Sequence, residues 1–225
     1  MSSSINQPFQ RKRLGQRARV RYPRNREATR QRLIEAAGEI IRINGIEELN
    51  TVNVTRAAGI VQSGFYLHFK NIDDCKRAAA EAVAGRIRKF IAEHRRSGRG
   101  QPADLPTVSR HFREILTLFE KERKFSELLI RHRHDRSPLG LVFRQVLDQM
   151  RVDLAADLQQ QFQPLLPAEQ DPIRFSIWAE LLQGMVLQAG DALIDGRLTD
   201  TSVLAREMAT AAIGMGAAVL GLVPT

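Results

Sequence analysis

Residues 51–71 read TVNVTRAAGIVQSGFYLHFKN, and the spacing of the apolar residues and glycines in this segment indicates its local fold. Val54, Ala57 and Ala58 give its first part a small apolar face, which lets a short helix approach a neighbouring helix closely. Gly59 follows this face and readily adopts a positive φ, the conformation that commonly comes directly after the last residue of a helix. The pattern therefore predicts a short helix that ends in a sharp turn at the glycine.

A second short helix is predicted over residues 62–69. Phe65 and Phe69 lie four positions apart, so they share one face of that helix and hold it against the core, while Ile60 fills the preceding turn. With 3.6 residues per turn, the opposite face points outward. The side chains on that outward face are Ser63, Tyr66 and Leu67. Two short helices joined in this way predict a helix-turn-helix.

The rest of the chain has the periodicity and the terminating residues of helices, and its sequence has no strand-like alternation. Ser137-Pro138 and Asp171-Pro172 each combine an N-cap residue with a proline in the first turn. Residues 97–102, SGRGQP, predict a linker after one long helix. The other predicted helices span about 26–44, 71–96, 105–121, 123–133, 137–162, 171–195 and 200–221. The predicted fold class is all-α.

The net charge of +9 is concentrated at one end of the chain. Residues 1–32 contain ten Lys and Arg side chains and one acid, Glu27, so residues 33–225 are formally neutral. A basic arm on a neutral body indicates a protein that binds a polyanion at one end. The alternative interpretation of the arm is a solvated tail without a partner.

Several classes of site and location are disfavoured by the sequence. Cys75 is the only cysteine, which excludes an intramolecular disulfide and a cysteine-based zinc site; it is expected to be buried rather than a redox switch. His132 and His134 lie on different faces of a helix, so no metal site or cofactor is predicted. Residues 208–223 are shorter than the roughly 20 apolar residues that span a bilayer. We expect a cytoplasmic protein without a secretory signal or a membrane partner.

The stretch 51–71 resembles the signature of the TetR family of transcriptional regulators. In that family a Thr opens the second helix, Ala-Gly-Val forms the turn, and an aromatic-Tyr-x-x-Phe pattern ends the third helix. The corresponding residues here are Thr51, Ala58-Gly59-Ile60 and Phe65-Tyr66-Leu67-His68-Phe69.

Upstream, residues 33–37, LIEAA, followed by Asn-Gly, resemble the first helix of the family. The motif match covers about residues 28–75. The resemblance implies a basic, flexible arm over 1–25 and a three-helix helix-turn-helix DNA-binding domain over 26–72. A long helix would join this domain to a helical effector-binding and dimerisation domain over 73–225.

The resemblance implies a sequence-specific regulator that binds double-stranded DNA. Gln62, Ser63 and Gly64 would meet base edges, and Thr51 and Tyr66 would bind phosphates. The basic arm would lie beside the same duplex. The DNA-binding residues implied in this way are Arg26, Arg30, Thr51, Gln62, Ser63, Gly64, Tyr66, His68 and Lys70.

Three positions depart from the family's pattern. Val61 stands where a Ser often caps the third helix, and Leu67 replaces a commonly polar or aromatic residue. Ile72 stands where many members have a phosphate-binding Lys, which leaves Lys70 as a substitute. These departures concern individual DNA contacts rather than the fold.

The resemblance also implies a homodimer, acting as a repressor on a near-palindromic operator and released by an apolar small-molecule effector. Small residues in the last helix would let two copies approach closely; the alternative is a helix buried inside one copy. The expected interface residues are Ala211, Gly214, Met215, Ala218 and Leu222. The expected effector-binding residues are Phe112, Leu116, Phe119, Phe143, Met150, Trp178 and Met185.

Two other functions compete with this interpretation. The first is an enzyme on a helical scaffold, but the sequence has no nucleophile–base pair, glycine-rich phosphate loop or metal-ligand spacing to support it. The second is a nucleic-acid-binding protein that uses its basic arm without sequence preference and has no effector. We expect a regulator and not an enzyme.

Overall fold

The structure is a computed structural model that describes residues 23–97, 103–165, 171 and 173–221. Over these residues it is all-α, as predicted, with no strand and one 3-10 helix at Gln163–Leu165. The predicted basic arm before Pro23 lies outside the described residues. The α-helices are α1 Pro23–Asn44, α2 Thr51–Ala57, α3 Gln62–Phe65, α4 Ile72–Ser97, α5 Leu105–Lys121, α6 Arg123–His132, α7 Pro138–Phe162, α8 Ile173–Ile194 and α9 Thr201–Val219.

The predicted turns occur where glycine permits a positive φ. Gly45, after α1, has a φ of 95°, and Gly59, after α2, has a φ of 65°. Between them, Asn50 caps α2, since its Oδ1 accepts a hydrogen bond from the Asn53 backbone N–H at 2.9 Å. The positions of α1 and α2 in the chain therefore follow from local turn and capping chemistry.

Two boundaries differ from the predictions by three residues or more. α1 begins at Pro23, three residues earlier than predicted, because proline suits the first turn of a helix. α3 ends at Phe65 rather than at residue 69, and turns follow over residues 66–68. There the Leu67 N–H bonds to the Gly64 carbonyl, a tighter pattern than that of an α-helix. The second helix of the helix-turn-helix is thus a short helix continued by turns.

The apolar face of α2 is also rotated from the prediction. Val54 and Thr55 are buried and Ala58 is half-buried, while Ala57 is exposed. Thr55 can be buried because its hydroxyl donates to the Thr51 carbonyl at 2.8 Å, which satisfies the polar group. The buried face of α2 therefore includes Thr55 in place of Ala57.

Helix α4 connects the helix-turn-helix to the rest of the molecule. Asn71 caps it by accepting a hydrogen bond from the Asp74 N–H at 2.8 Å. Its N-terminal half packs on α1, and it also contacts α7. One continuous core includes side chains of α1–α4, α6 and the start of α7, with Phe65, Phe125 and Phe143 among its fully buried members. A displacement of α4 therefore moves the helix-turn-helix with it.

A second core lies between α5, the end of α7, α8 and α9. α5 packs against α9 and α7 packs against α8. The predicted start signals hold: Ser137 accepts a hydrogen bond from the Gly140 N–H at 3.0 Å, and Asp171 accepts one from the Ile173 N–H at 2.9 Å. α8 and α9 also pack against each other.

Candidate nucleic-acid interface and ligand cavity

The outward face of α3 and its following turn carries polar and aromatic side chains in solvent. Gln62 and Ser63 are exposed, and Tyr66 is 60% exposed. On the opposite side Phe65 and Phe69 are buried, with ring centroids 5.4 Å apart. The two aromatic side chains thus anchor the helix and leave its polar face free to meet a partner.

Two arginines of α1 support this segment from behind, which the sequence analysis did not foresee. The Arg26 guanidinium donates to the Leu67 carbonyl at 3.0 Å, and the Arg30 guanidinium lies 5.1 Å from the centroid of the Phe69 ring. Both were predicted to touch DNA. In the structure they fix the end of the α3 segment and keep a positive charge beside it.

The other predicted DNA-binding residues surround the same face. Thr51 is the first residue of α2 and is half-exposed, Gly64 lies in α3, and Lys70 is exposed. His68 is half-buried, and burial, reinforced by Arg26 and Arg30, lowers its pKa. The imidazole is therefore mainly neutral at pH 7 and would meet a phosphate as a hydrogen-bonding group rather than as a cation.

The segment that carries this face has no negative charge of its own. Residues 49–72 contain no Asp or Glu, whereas Arg56 and Lys70 are present. The two α1 arginines add positive charge beside the face, partly offset by Glu27, and this excess of basic groups suits a polyanionic partner.

Cys75 lies near this region but is buried. Burial, with a smaller contribution from Asp74, raises the pKa of its thiol to about 12. Because the thiolate is the reactive form, the thiol is inert near neutral pH. This agrees with a packing role rather than a redox switch.

An apolar stripe is exposed along α8. Ile173, Ile177 and Leu181 recur every fourth residue, so they lie on one face, and each is more than half exposed. On α9 the predicted interface residues Ala211, Gly214 and Ala218 are also exposed. Met215 is half-buried and packs against the second core, and Leu222 lies outside the described residues. α8 and α9 therefore present an apolar stripe and a strip of small residues.

A cavity of about 540 Å³ lies within the helical body, with walls from α4 through α9. Its lining is mainly aliphatic and aromatic. Four of the seven predicted effector-binding residues line it, namely Phe112, Phe119, Met150 and Trp178. The other three do not: Leu116 and Phe143 are fully buried core residues, and Met185 packs at the edge of the second core.

The polar part of the cavity wall includes an ion pair between α4 and α7. Arg95 and Asp157 both line the cavity, and the Arg95 Nε and Asp157 Oδ2 atoms are 2.8 Å apart. A second ion pair, Arg88–Asp153 at 3.4 Å, joins the same two helices. A ligand that disturbs this wall would therefore act directly on the helix that carries the helix-turn-helix.

Another part of the cavity wall is formed where Gly216 of α9 packs closely against Trp178 of α8. A Cβ atom on Gly216 would lie 2.6 Å from Cζ2 of Trp178, so only glycine allows this approach of α9 to the α8 indole. Gly216 is one of the small residues of the last helix that were expected to let two copies approach closely. In the structure it packs within its own chain and links the cavity wall to α9.

Two kinds of site or segment are not found. No three His, Cys, Asp or Glu side chains among the described residues are grouped so that they could hold a metal ion. In the same part of the chain, no helix is long and apolar enough to cross a membrane.

No protein-family model and no curated protein sequence matches the chain. Solved structures do match it. A protein from Mesorhizobium loti assigned to the TetR family has a TM-score of 0.70 at 17% identity, over 86% of this chain and 97% of its own. A TetR-family regulator from Streptomyces coelicolor has a TM-score of 0.64 at 15% identity, over 88% and 84%.

FadR from Bacillus subtilis, solved in complex with stearoyl-CoA, has a TM-score of 0.61 at 15% identity, over 82% of this chain and 98% of its own. All three are described as transcriptional regulators, and their likeness extends over both the helix-turn-helix and the helical body. The chain has the fold of the TetR-family transcriptional regulators.

Proposed function

We propose that this protein is a sequence-specific DNA-binding transcriptional regulator, acting as a repressor. It would bind a near-palindromic operator as a homodimer and leave the operator when a small molecule binds. The observation that carries the proposal is the outward polar face of Gln62, Ser63 and Tyr66, backed by a buried aromatic pair and bordered by positive charge. This combination suits entry into a DNA major groove.

We propose that each predicted domain has its own function. Residues 26–72 would read DNA, with Thr51, His68 and Lys70 at the phosphates and Gln62, Ser63 and Gly64 at the bases. Residues 73–225 would bind the effector and form the dimer. The part of the predicted arm that precedes α1, residues 1–22 with six basic side chains and no acid, would accompany the duplex.

Dimerisation is supported by the exposed surface of α8 and α9. One small helix-turn-helix makes few base contacts, so two copies related by a two-fold axis are needed to read a long site. Exposed stripes of large apolar residues are uncommon on a monomer's surface, and the exposed small residues of α9 would permit close helix packing. We propose a four-helix interface made by α8 and α9 of two copies.

Effector binding is supported by the cavity. Its volume and mainly apolar walls suit a small, predominantly apolar molecule. The B. subtilis FadR structure, which shares this fold, contains stearoyl-CoA, a ligand with a long apolar chain. A ligand here would favour an arrangement of α4 whose two reading faces no longer match the operator.

The first test separates reading by the helix-turn-helix from non-specific binding by the arm. A near-palindromic operator is selected from random duplexes with the whole protein, and the protein lacking residues 1–22 is then titrated with that operator and with a scrambled duplex. We expect the truncated protein to bind more weakly but to keep its preference. The slope of log affinity against log salt should shrink by about 0.9 for each phosphate that the arm no longer neutralises. A complete loss of preference would support the arm-only alternative.

The second test concerns the cavity and uses the apolar dye 1-anilinonaphthalene-8-sulfonate as a probe. Val146 lines the cavity on α7, whereas Val152 on the same helix is 54% exposed. We expect Val146→Trp to weaken dye binding several-fold by filling the cavity, and Val152→Trp to leave it unchanged. Overfilling costs about 1–3 kcal/mol of stability, so thermal unfolding must show that both variants are folded. Equal dye binding by both folded variants would place the dye elsewhere.

A further inference from the structure

Two aliphatic side chains lie uncovered on the face proposed to read DNA. Val61 is 74% exposed, the highest fraction of any large apolar residue in the described chain, and Leu67 is 60% exposed. Val61 directly precedes Gln62, and Leu67 lies one helical turn after Ser63. Single exposed apolar residues are ordinary on protein surfaces, but these two flank the polar residues of one functional face.

The valine also occupies a position where a polar residue would stabilise the fold. Val61 is the N-cap of α3 and makes no side-chain capping hydrogen bond. By contrast, Asn50, Asp104 and Ser137 each cap a helix through a side-chain oxygen. Ser, Thr, Asp or Asn at an N-cap typically stabilises a helix relative to an apolar residue. The apolar side chain is therefore not explained by the stability of its own helix.

The backbone holds both side chains in place. The Leu67 carbonyl accepts the hydrogen bond from Arg26, which ties this residue to α1. The Val61 carbonyl accepts a hydrogen bond from the Gly64 N–H at 2.9 Å. Both side chains are thus presented to solvent from fixed positions, so a partner can be met with little further ordering.

We propose that Val61 and Leu67 recognise thymine in the operator by packing against its C5-methyl group. This inference rests on the proposed DNA-binding function. Thymine presents the methyl group in the major groove, where aliphatic side chains can cover it, and a neighbouring Gln62 can read an adjacent adenine. The positive surroundings, with no acidic residue over 49–72, commit the face to nucleic acid rather than to another apolar partner.

Uracil in place of thymine tests this directly, because it removes the methyl group and leaves base pairing intact. Each thymine of the selected operator is replaced symmetrically in both half-sites, and the dissociation constant is measured at fixed salt. We expect that at one or more positions the uracil operator binds the wild-type protein about fifteenfold more weakly. This factor combines about fourfold for each of the two methyl groups removed, one in each half-site. At such a position, Val61→Ala or Leu67→Ala should bind the thymine and uracil operators equally.

Val52→Ala is the matched control, since Val52 is an exposed aliphatic residue of α2 outside this face and should keep the full uracil penalty. Wild-type binding that is indifferent to uracil at every position would overturn the inference and leave the proposed function standing. A uracil penalty that persists unchanged in both alanine variants would also overturn it, because the effect would then come from the DNA itself. Failure to select any operator would contradict the proposed function instead.

Discussion

A glutamate in place of Leu181 is expected to convert the protein from a dimer to a monomer and to weaken operator binding about 10²–10⁴-fold. Leu181 is 51% exposed at the C-terminal end of the α8 stripe, where two copies would meet. A carboxylate there would be buried without a partner at the proposed interface, which costs several kcal/mol. Since the residue is on the surface of one copy, the fold of each copy should survive. The loss in affinity follows because two linked reading faces bind far more tightly than one.

Val152→Glu provides the control for charge and exposure. Val152 is 54% exposed on α7 and is not part of the α8 stripe, and the same substitution there should leave both mass and affinity unchanged. Light scattering gives the mass, thermal unfolding reports on the fold, and titration of the selected operator gives the affinity. A Leu181→Glu protein that stays dimeric and binds normally would show that the copies associate through another surface.

The sequence was sufficient to predict the helix-turn-helix, because local chemistry determines it. Gly59 ends α2 with a positive φ, and Phe65 and Phe69 are buried on one side of the following segment while Tyr66 is exposed. Helical spacing alone predicts such a division into faces. The long helix after Asn71 was predictable for the same reason, since a cap and two early acids mark its start.

The contacts between distant elements could not be predicted in this way. Arg26 and Arg30 resemble free cations in the sequence, but the turn after α3 brings the Leu67 carbonyl and the Phe69 ring against them. Hydrogen bonds and stacking over some forty residues of sequence depend on how α1 and α3 cross, and no local pattern encodes that geometry. The sequence showed the positive charge of these two arginines but not the groups that they contact.

The residues that line the cavity could not be predicted from the sequence pattern either. Apolar periodicity identifies the inward residues but does not separate those that line a space from those that fill a core, so Phe119 lines the cavity while Leu116 does not. Gly216 likewise resembled an interface residue because small residues permit any close helix contact. Its actual neighbour is Trp178 of the same chain. The composition of a helix thus predicts close packing without predicting the partner.

We expect the outward face of α3 to be the element that reads the DNA sequence. Gln62 and Tyr66 are both exposed and adjacent on this face, so replacing either should change stability by no more than about 0.5 kcal/mol. We expect them to differ in DNA binding, because an amide can pair bidentately with adenine whereas a phenol hydroxyl would meet a phosphate.

The most direct measurement is a complete single-base substitution profile of the selected operator for the wild type, Gln62→Ala and Tyr66→Phe. Gln62→Ala should abolish a preference of about 1–3 kcal/mol at one base pair of each half-site and leave the other positions unchanged. Tyr66→Phe should weaken all sequences alike, by about 1.5–3 kcal/mol for each hydrogen bond to a charged phosphate. If Gln62→Ala instead lowered affinity equally at every position, α3 would not be the element that reads the operator.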